Sequence, residues 1–271
     1  MIPHRVRLAL CIAFLCHGLF ILTARYRLSY DAYTHMLFAN HYAQNWFSLW
    51  ETHWYTGFTV VSYPPLIHQI IALFIPVLGF DMAFAFILWT VTTLYPLGIY
   101  AFSRIFMGKS AASYAALASA ILLPIYVVAH IFGQLPFLAS TFIALFGAAG
   151  LDRYLREGGV HNLLLTVCLI TTSIASHHAT LMIHPFFIFA VLIKNMASQN
   201  TEPLRRKQKN ELRVSPGAAL QGRCLSPWLI LLRRLIIFTA LAILTSIIVI
   251  WPFWEWGLQQ TMQTPIDHSS R

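Results

Sequence analysis

Between Leu235 and Trp251 the chain runs through seventeen residues without one charged side chain. A helix needs roughly 17–25 apolar residues to cross a bilayer core of about 30 Å. Similar runs occupy Leu8–Ala24, Met82–Phe102, Ala111–Ile131, Leu135–Leu151, Asn162–Ser176 and Thr180–Ile193. Inside lipid every backbone N–H and C=O must find an internal partner, which leaves helices and closed barrels as the only spanning structures. The pattern predicts an all-α polytopic membrane protein with about seven transmembrane helices. Composition points the same way: 58% of the 271 residues are hydrophobic and 10% charged, against about 45–50% and 25% in soluble domains. A soluble enzyme, a disordered chain and a secreted disulfide scaffold are excluded.

The net charge of +9 resembles a nucleic-acid signal, but its placement argues for a membrane surface instead. Nine of the 18 Lys and Arg residues fall between Lys194 and Arg234. A basic stretch beside apolar spans marks the cytoplasmic side, where it meets anionic lipid. The segment Leu66–Phe80 is ambiguous, because its fifteen residues reach only about 22 Å as a helix and include His68, Gln69 and Pro76. If it does not cross, seven spans place fifteen of the eighteen basic residues inside. Eight spans with an external N-terminus satisfy the charge rule equally well. The short length and internal polar groups favour seven, with Leu66–Phe80 lying in or dipping into the outer interface. Leu8–Ala24 is expected to be a retained span, since Leu22-Thr23-Ala24-Arg25 lacks a small-x-small cleavage pattern. Cys11, Cys16, Cys168 and Cys224 show no metal spacing and read as free thiols.

Seven spans collect four stretches on the external face: the loop Arg25–Asp81, the turn His130–Pro136, the Ser176-His177-His178 junction and the tail from Trp254 to Arg271. Polar and ionisable residues at such positions are functional candidates, because burying them near lipid is costly. The first loop opens with Ser29-Tyr30-Asp31-Ala32-Tyr33-Thr34-His35 and is expected to continue helically to Trp46. Asp31 and His35, four apart, share one helix face. Asp31 stands at the helix start, where N–H groups and the dipole favour its ionised form, so it reads either as a cap or as a reactive carboxylate. Trp46, Trp50 and Trp54 recur at a spacing of four, which would stripe one face of a helix. Such aromatics stack on sugar rings or populate the membrane–water boundary. Tyr63-Pro64-Pro65-Leu66 then fixes an extended backbone before the next helix.

The order of these motifs resembles the GT-C superfamily of integral-membrane glycosyltransferases, and more closely the membrane proteins catalogued as 6-pyruvoyl-tetrahydropterin-synthase-related. The resemblance includes Asp31-x-x-x-His35, Tyr63-Pro64-Pro65-Leu66, Gly133-Gln134-Leu135-Pro136, Ser176-His177-His178-Ala179-Thr180 and the closing Thr264-Pro265-Ile266-Asp267-His268-Ser269-Ser270-Arg271. It implies a single seven-helix module over residues 1–271, with an external loop at 25–81 and a basic cytoplasmic loop and flank at 194–234. Residues 254–271 would open a second external loop that is cut short. It further implies transfer of a sugar from a polyprenyl-phosphate donor to an acceptor on the external face of an inner or plasma membrane. Asp31 would be the catalytic base or a metal ligand, with a divalent metal the one candidate cofactor. His35, Trp54, Tyr63, Gln134, His177, His178, Asp267, His268 and Arg271 would contact substrate, with His35, His177, His178 and Arg271 opposing the lipid phosphate. One departure is plain: the turn after the third span carries His130 and Gln134 but no carboxylate, which puts a two-carboxylate metal site in doubt unless Glu255 or Asp267 substitutes from the tail. The expected partners are the lipid-linked donor and membrane lipids, with no nucleic acid. A transporter or flippase for lipid-linked sugars and a catalytically degenerate scaffold are the competing classes. The 271 residues are expected to be the N-terminal part of a longer enzyme.

Overall fold

A computed structural model describes residues 2–52, 57–60, 63–211, 226–252 and 255, with side chains described up to Ser198 and again from Ser226. The described chain is almost wholly helical. Helix α1 covers His4–Leu22 and leads through a short 3₁₀ turn into α2, Ala32–Gln44. Two short antiparallel strands follow, β1 at Trp50–Glu51 and β2 at Phe58–Thr59. The remaining helices are α3 (Leu66–Leu78), α4 (Phe80–Phe106), α5 (Lys109–Ser119), α6 (Leu123–Tyr126, continuing as a π-turn to Phe132), α7 (Leu135–Glu157), α8 (Val160–Ser176), α9 (Thr180–Glu211) and α10 (Pro227–Pro252).

Among the described residues, five stretches are long and apolar enough to cross a membrane: α1, α4, α7, Thr180–Ser198 of α9, and α10. The count becomes six if α5 and α6, bent by 45°, form one broken span. The bend corrects the unbroken helix expected over Ala111–Ile131. Its cause is local: Pro124 has no N–H and its ring clashes with the carbonyl four residues back, at Ala120. The Tyr126 hydroxyl donates to that same carbonyl at 2.7 Å, so the break leaves it paired. Helix α8, at 17 residues, and α3, at 13, are shorter apolar helices.

Helix α7 is the hub, packing against α4, α8 and α9. Apolar side chains gain little from each other when lipid is equally apolar, so close approach and interhelical hydrogen bonds must hold the bundle. Small residues on α7 permit that approach. A Cβ on Gly150 would lie 2.9 Å from Thr166 Oγ1, and one on Gly147 3.0 Å from Ile170. Ser173 then donates to the Ser140 carbonyl at 2.8 Å, and Thr171 and Thr245 join α8 to α10 at 2.7 Å. The periphery is apolar: Leu15, Leu19, Leu244 and Ile248 are all more than half exposed.

The helices run alternately between two ends. One end carries Arg5, Arg7, Lys109, Arg153, Arg156, Arg233 and Arg234, and buries Asp152 beneath Lys194, Arg156 and Asn195 at 2.7–2.9 Å. The other end holds α2, the strands, the π-turn and the α8–α9 junction. Helix α3 packs one face, including Ile67, His68 and Ile71, against α2 and α4 and leaves Leu73 and Val77 exposed.

Candidate functional site

The site begins with backbone pairing between segments a hundred residues apart. The Tyr30 and Asp31 N–H groups donate to the carbonyls of Ile131 and Phe132 at 2.9 and 3.0 Å. This seats the start of α2 on the π-turn that ends α6. The turn closes at Gly133, whose φ of +70° is the left-handed region that favours glycine. A Cβ there would meet Ser29 Oγ at 2.5 Å and the Ala32 nitrogen at 2.9 Å. The glycine therefore brings the next residue, Gln134, onto Asp31, and its amide donates to the Asp31 carboxylate.

Asp31 is the N-cap of α2, yet its side chain makes no capping bond. That corrects the expectation of a cap-stabilised carboxylate. Desolvation raises its pKa above the ordinary carboxylate value, and the Gln134 hydrogen bond only partly opposes that. Tyr63 adjoins both residues, and its hydroxyl is likewise pushed up, first by burial and then by the Asp31 charge. The Pro64-Pro65 start of α3 places the Tyr63 ring edge-on to His35 at 5.0 Å and to His177 at 5.4 Å. His178 stacks on His177 with ring centroids 4.9 Å apart. Five sequence-predicted residues thus meet here: Asp31, Tyr63, Gln134, His177 and His178.

His35 joins them differently from what was expected. It is fully buried, and its Nδ1 lies 3.1 Å from Nε2 of His68, itself fully buried. His35 backs the site rather than lining its mouth. His68 is the residue missed, since within Leu66–Phe80 it read only as a polar interruption. Nothing in local spacing pairs it with His35; α2 and α3 must first pack.

Of the two things a leaving phosphate can use, positive charge or hydrogen-bond donors, these imidazoles offer the second. Burial lowers His177 to about 4 and His178 below its ordinary value, and holds His35 well below it. Burial thus favours the uncharged form of all three. His177 Nδ1 accepts from the Ala179 N–H at 3.1 Å, which leaves the ring proton on Nε2. They can donate hydrogen bonds to an anion but bring no net charge.

Other expectations change as well. The Trp stripe is not helical, because α2 ends at Gln44 and Trp50 lies in β1, opposite Thr59. Trp54, Asp267, His268 and Arg271 lie outside the described residues. Glu51, a carboxylate of the first loop, forms a buried pair with His41 at 2.8 Å. Asp81 pairs with Arg27. Among the described residues no group of three or more His, Cys, Asp or Glu is arranged to hold a metal ion. Within that set, Asp31 has no second or third ligand of these kinds gathered beside it.

A second histidine pair supports the site from below. His17 Nδ1 of α1 and His130 Nε2 of the π-turn lie 2.8 Å apart, with Tyr126 stacked on His17 and Phe20 on His130. His130 is thus buried and not a helix-end residue reaching water. The pair pins the π-turn to α1, and through it the backbone partners of Asp31. No protein-family model, curated protein or solved structure matches the chain.

Proposed function

We propose that this is a membrane glycosyltransferase of the GT-C kind, moving a sugar from a polyprenyl-phosphate donor to an acceptor hydroxyl at the end of the bundle that carries Asp31. One observation carries the reading: Asp31, Tyr63, Gln134 and the His177–His178 pair come from four separate segments and converge. Those segments are four of the five on which the resemblance rests, and the resemblance used their order, not their proximity.

The chemistry follows from the groups. The acceptor oxygen forms a bond to the glycosyl carbon as the bond from that carbon to the phosphate oxygen breaks. The acceptor proton passes to Asp31, and the electron pair leaves with the lipid phosphate. Desolvation makes Asp31 a stronger base than an exposed aspartate, and Gln134 holds it in place. The neutral imidazoles of His177 and His178 supply N–H donors for the leaving phosphate. Tyr63 offers an aromatic wall against which a sugar ring can stack.

Activity should depend on pH with a defined sign. Transfer needs the ionised carboxylate, so the rate should fall as pH drops through the Asp31 pKa. Because that pKa is raised, the loss should set in at higher pH than for an ordinary aspartate. The test is a transfer assay in native membranes with a sugar-charged polyprenyl phosphate, followed across pH. Movement of the lipid-linked sugar across vesicles with no transfer to acceptor would favour a flippase instead.

The reading also takes seven spans, with α8 and the bent α5–α6 pair crossing and α3 remaining at the outer interface. The basic end is then cytoplasmic, together with Ser198–Leu225. Single cysteines placed in a background lacking the four native ones should be labelled by a membrane-impermeant reagent along Leu66–Phe80. They should stay unlabelled within Ser198–Leu225. External labelling in that basic stretch would overturn the arrangement.

A further inference from the structure

At the basic end, about 34 Å along α7 from the Asp31 site by helix rise, a cavity of about 460 Å³ opens between the α7–α8 turn and the first part of α10. Its polar wall is Arg233, Arg234 and Tyr154, and its apolar wall is Leu163, Ile230 and Ile237. On α10 these residues stand at i, i+3, i+4 and i+7, which is a single helix face. The two guanidinium groups therefore sit one turn from an isoleucine on either side. Ile237 and Leu163 continue the wall toward the bilayer interior, since α8 and α10 both run inward from this end.

The arrangement is built rather than incidental. Arg234 donates to the Leu155 carbonyl at 2.7 Å and lies across Gly158. A Cβ at that glycine would meet its Nη2 at 2.6 Å. One edge of the fork is thereby fixed and the remaining N–H groups are directed elsewhere. Arg233 makes no ion pair or hydrogen bond among the described residues. Tyr154 is only 4% exposed and lines the cavity together with both arginines. Its hydroxyl also has no hydrogen-bond partner among the described residues. Helix α8 starts at the same mouth, so the positive end of its dipole adds to the field of the arginines.

We infer that this cavity binds one anionic phospholipid, its phosphate between Arg233 and Arg234 and an acyl chain along Ile237 and Leu163. Two guanidinium charges, one of them held in place, with an unpaired hydroxyl call for an oxyanion. The apolar wall running inward calls for a hydrocarbon chain attached to it. Free phosphate would use the first feature and waste the second. The site is separate from the reaction proposed for the other end and does not depend on it.

The test uses the full chain in uncharged detergent and three probes: phosphatidylglycerol, phosphatidylcholine with the same acyl chains, and inorganic phosphate. Native mass spectrometry counts retained lipid, and thermal unfolding measures the shift each probe causes. Phosphatidylglycerol should be retained at one saturable site and raise the melting temperature, whereas the other two probes should do neither. Arg233→Gln, which leaves the Arg234–Leu155 bond intact, should weaken retention about fivefold, the worth of one basic residue beside an anionic headgroup. Adding Arg234→Gln should bring retention to background; if that variant does not fold, the single Arg233→Gln result decides. Equal retention of both lipids, or wild-type affinity in Arg233→Gln, would overturn the inference. Phosphate protection equal to that of phosphatidylglycerol would reassign the cavity to a free anion and overturn it too.

Discussion

Replacing Asp31 by Asn should lower glycosyl transfer by about 10²–10⁴-fold, the usual contribution of a positioned general base, while the protein stays folded. Size is preserved and the Asn side-chain oxygen still accepts from Gln134. The backbone bonds to Ile131 and Phe132 do not involve the side chain at all. Stability should move in the opposite direction from activity. The folded state raises the Asp31 pKa, so it favours the protonated form relative to the unfolded chain. Above the unfolded pKa the ionised group therefore costs stability, and the cost disappears as pH falls through the folded pKa. Asn removes that charge, and thermal unfolding of Asp31→Asn at neutral pH should occur at or above the wild-type temperature. The paired measurement separates chemistry from structure. Near-normal transfer would leave Asp31 as no more than the first residue of a helix, and a large fall in melting temperature would make it a structural group.

Gly133→Ala should be the most damaging small substitution near the site. A left-handed φ costs an L-residue roughly 1–2 kcal/mol, and forcing a methyl into a filled space costs about 1–3 kcal/mol more. The obstacles are Ser29 Oγ at 2.5 Å and the Ala32 backbone nitrogen at 2.9 Å. The first can rotate away only by giving up its 2.6 Å bond to the Tyr26 carbonyl; the second cannot rotate. A loss of about 2–5 kcal/mol is expected, read as a lower melting temperature. Transfer should also fall in molecules that remain folded, because displacement of about 1 Å costs about 100-fold. Ser29→Ala in the same molecule should restore part of the stability by removing one of the two collisions. Wild-type stability in Gly133→Ala would show that the turn can shift without strain, and that Gln134 is not held on Asp31 in this way.

Much of the helical framework was legible because lipid allows so few solutions. A run such as Leu235–Trp251 leaves no alternative to a helix or a barrel strand, and its length exceeds any strand. The start of α2 at Asp31 and the extended link before α3 follow from local preferences of Asp and of residues preceding Pro. The Trp46–Trp50–Trp54 spacing misled, because periodicity alone cannot say where a helix stops. The chain turns after Gln44 and pairs Trp50 with Thr59. The bend near Pro124 was visible in principle, but a run of apolar residues on both sides concealed it.

What the sequence determined by itself is the material of the bundle: where apolar segments lie, which end gathers the Lys and Arg residues, and which polar residues fall at the ends of helices. These depend on neighbours within a turn or two, and on the cost of placing charge in lipid. The tertiary structure alone decided that Gln134 reaches Asp31 across 103 residues, that His35 faces His68 instead of the open site, and that His17 and His130 share a hydrogen bond. It also decided the charge of the site. An isolated histidine titrates near neutrality, and only packing of α2, α3 and the α8–α9 junction removes enough water to hold these imidazoles neutral. The same desolvation raises the Asp31 pKa, an effect no spacing of letters encodes because it depends on everything that surrounds the group in space.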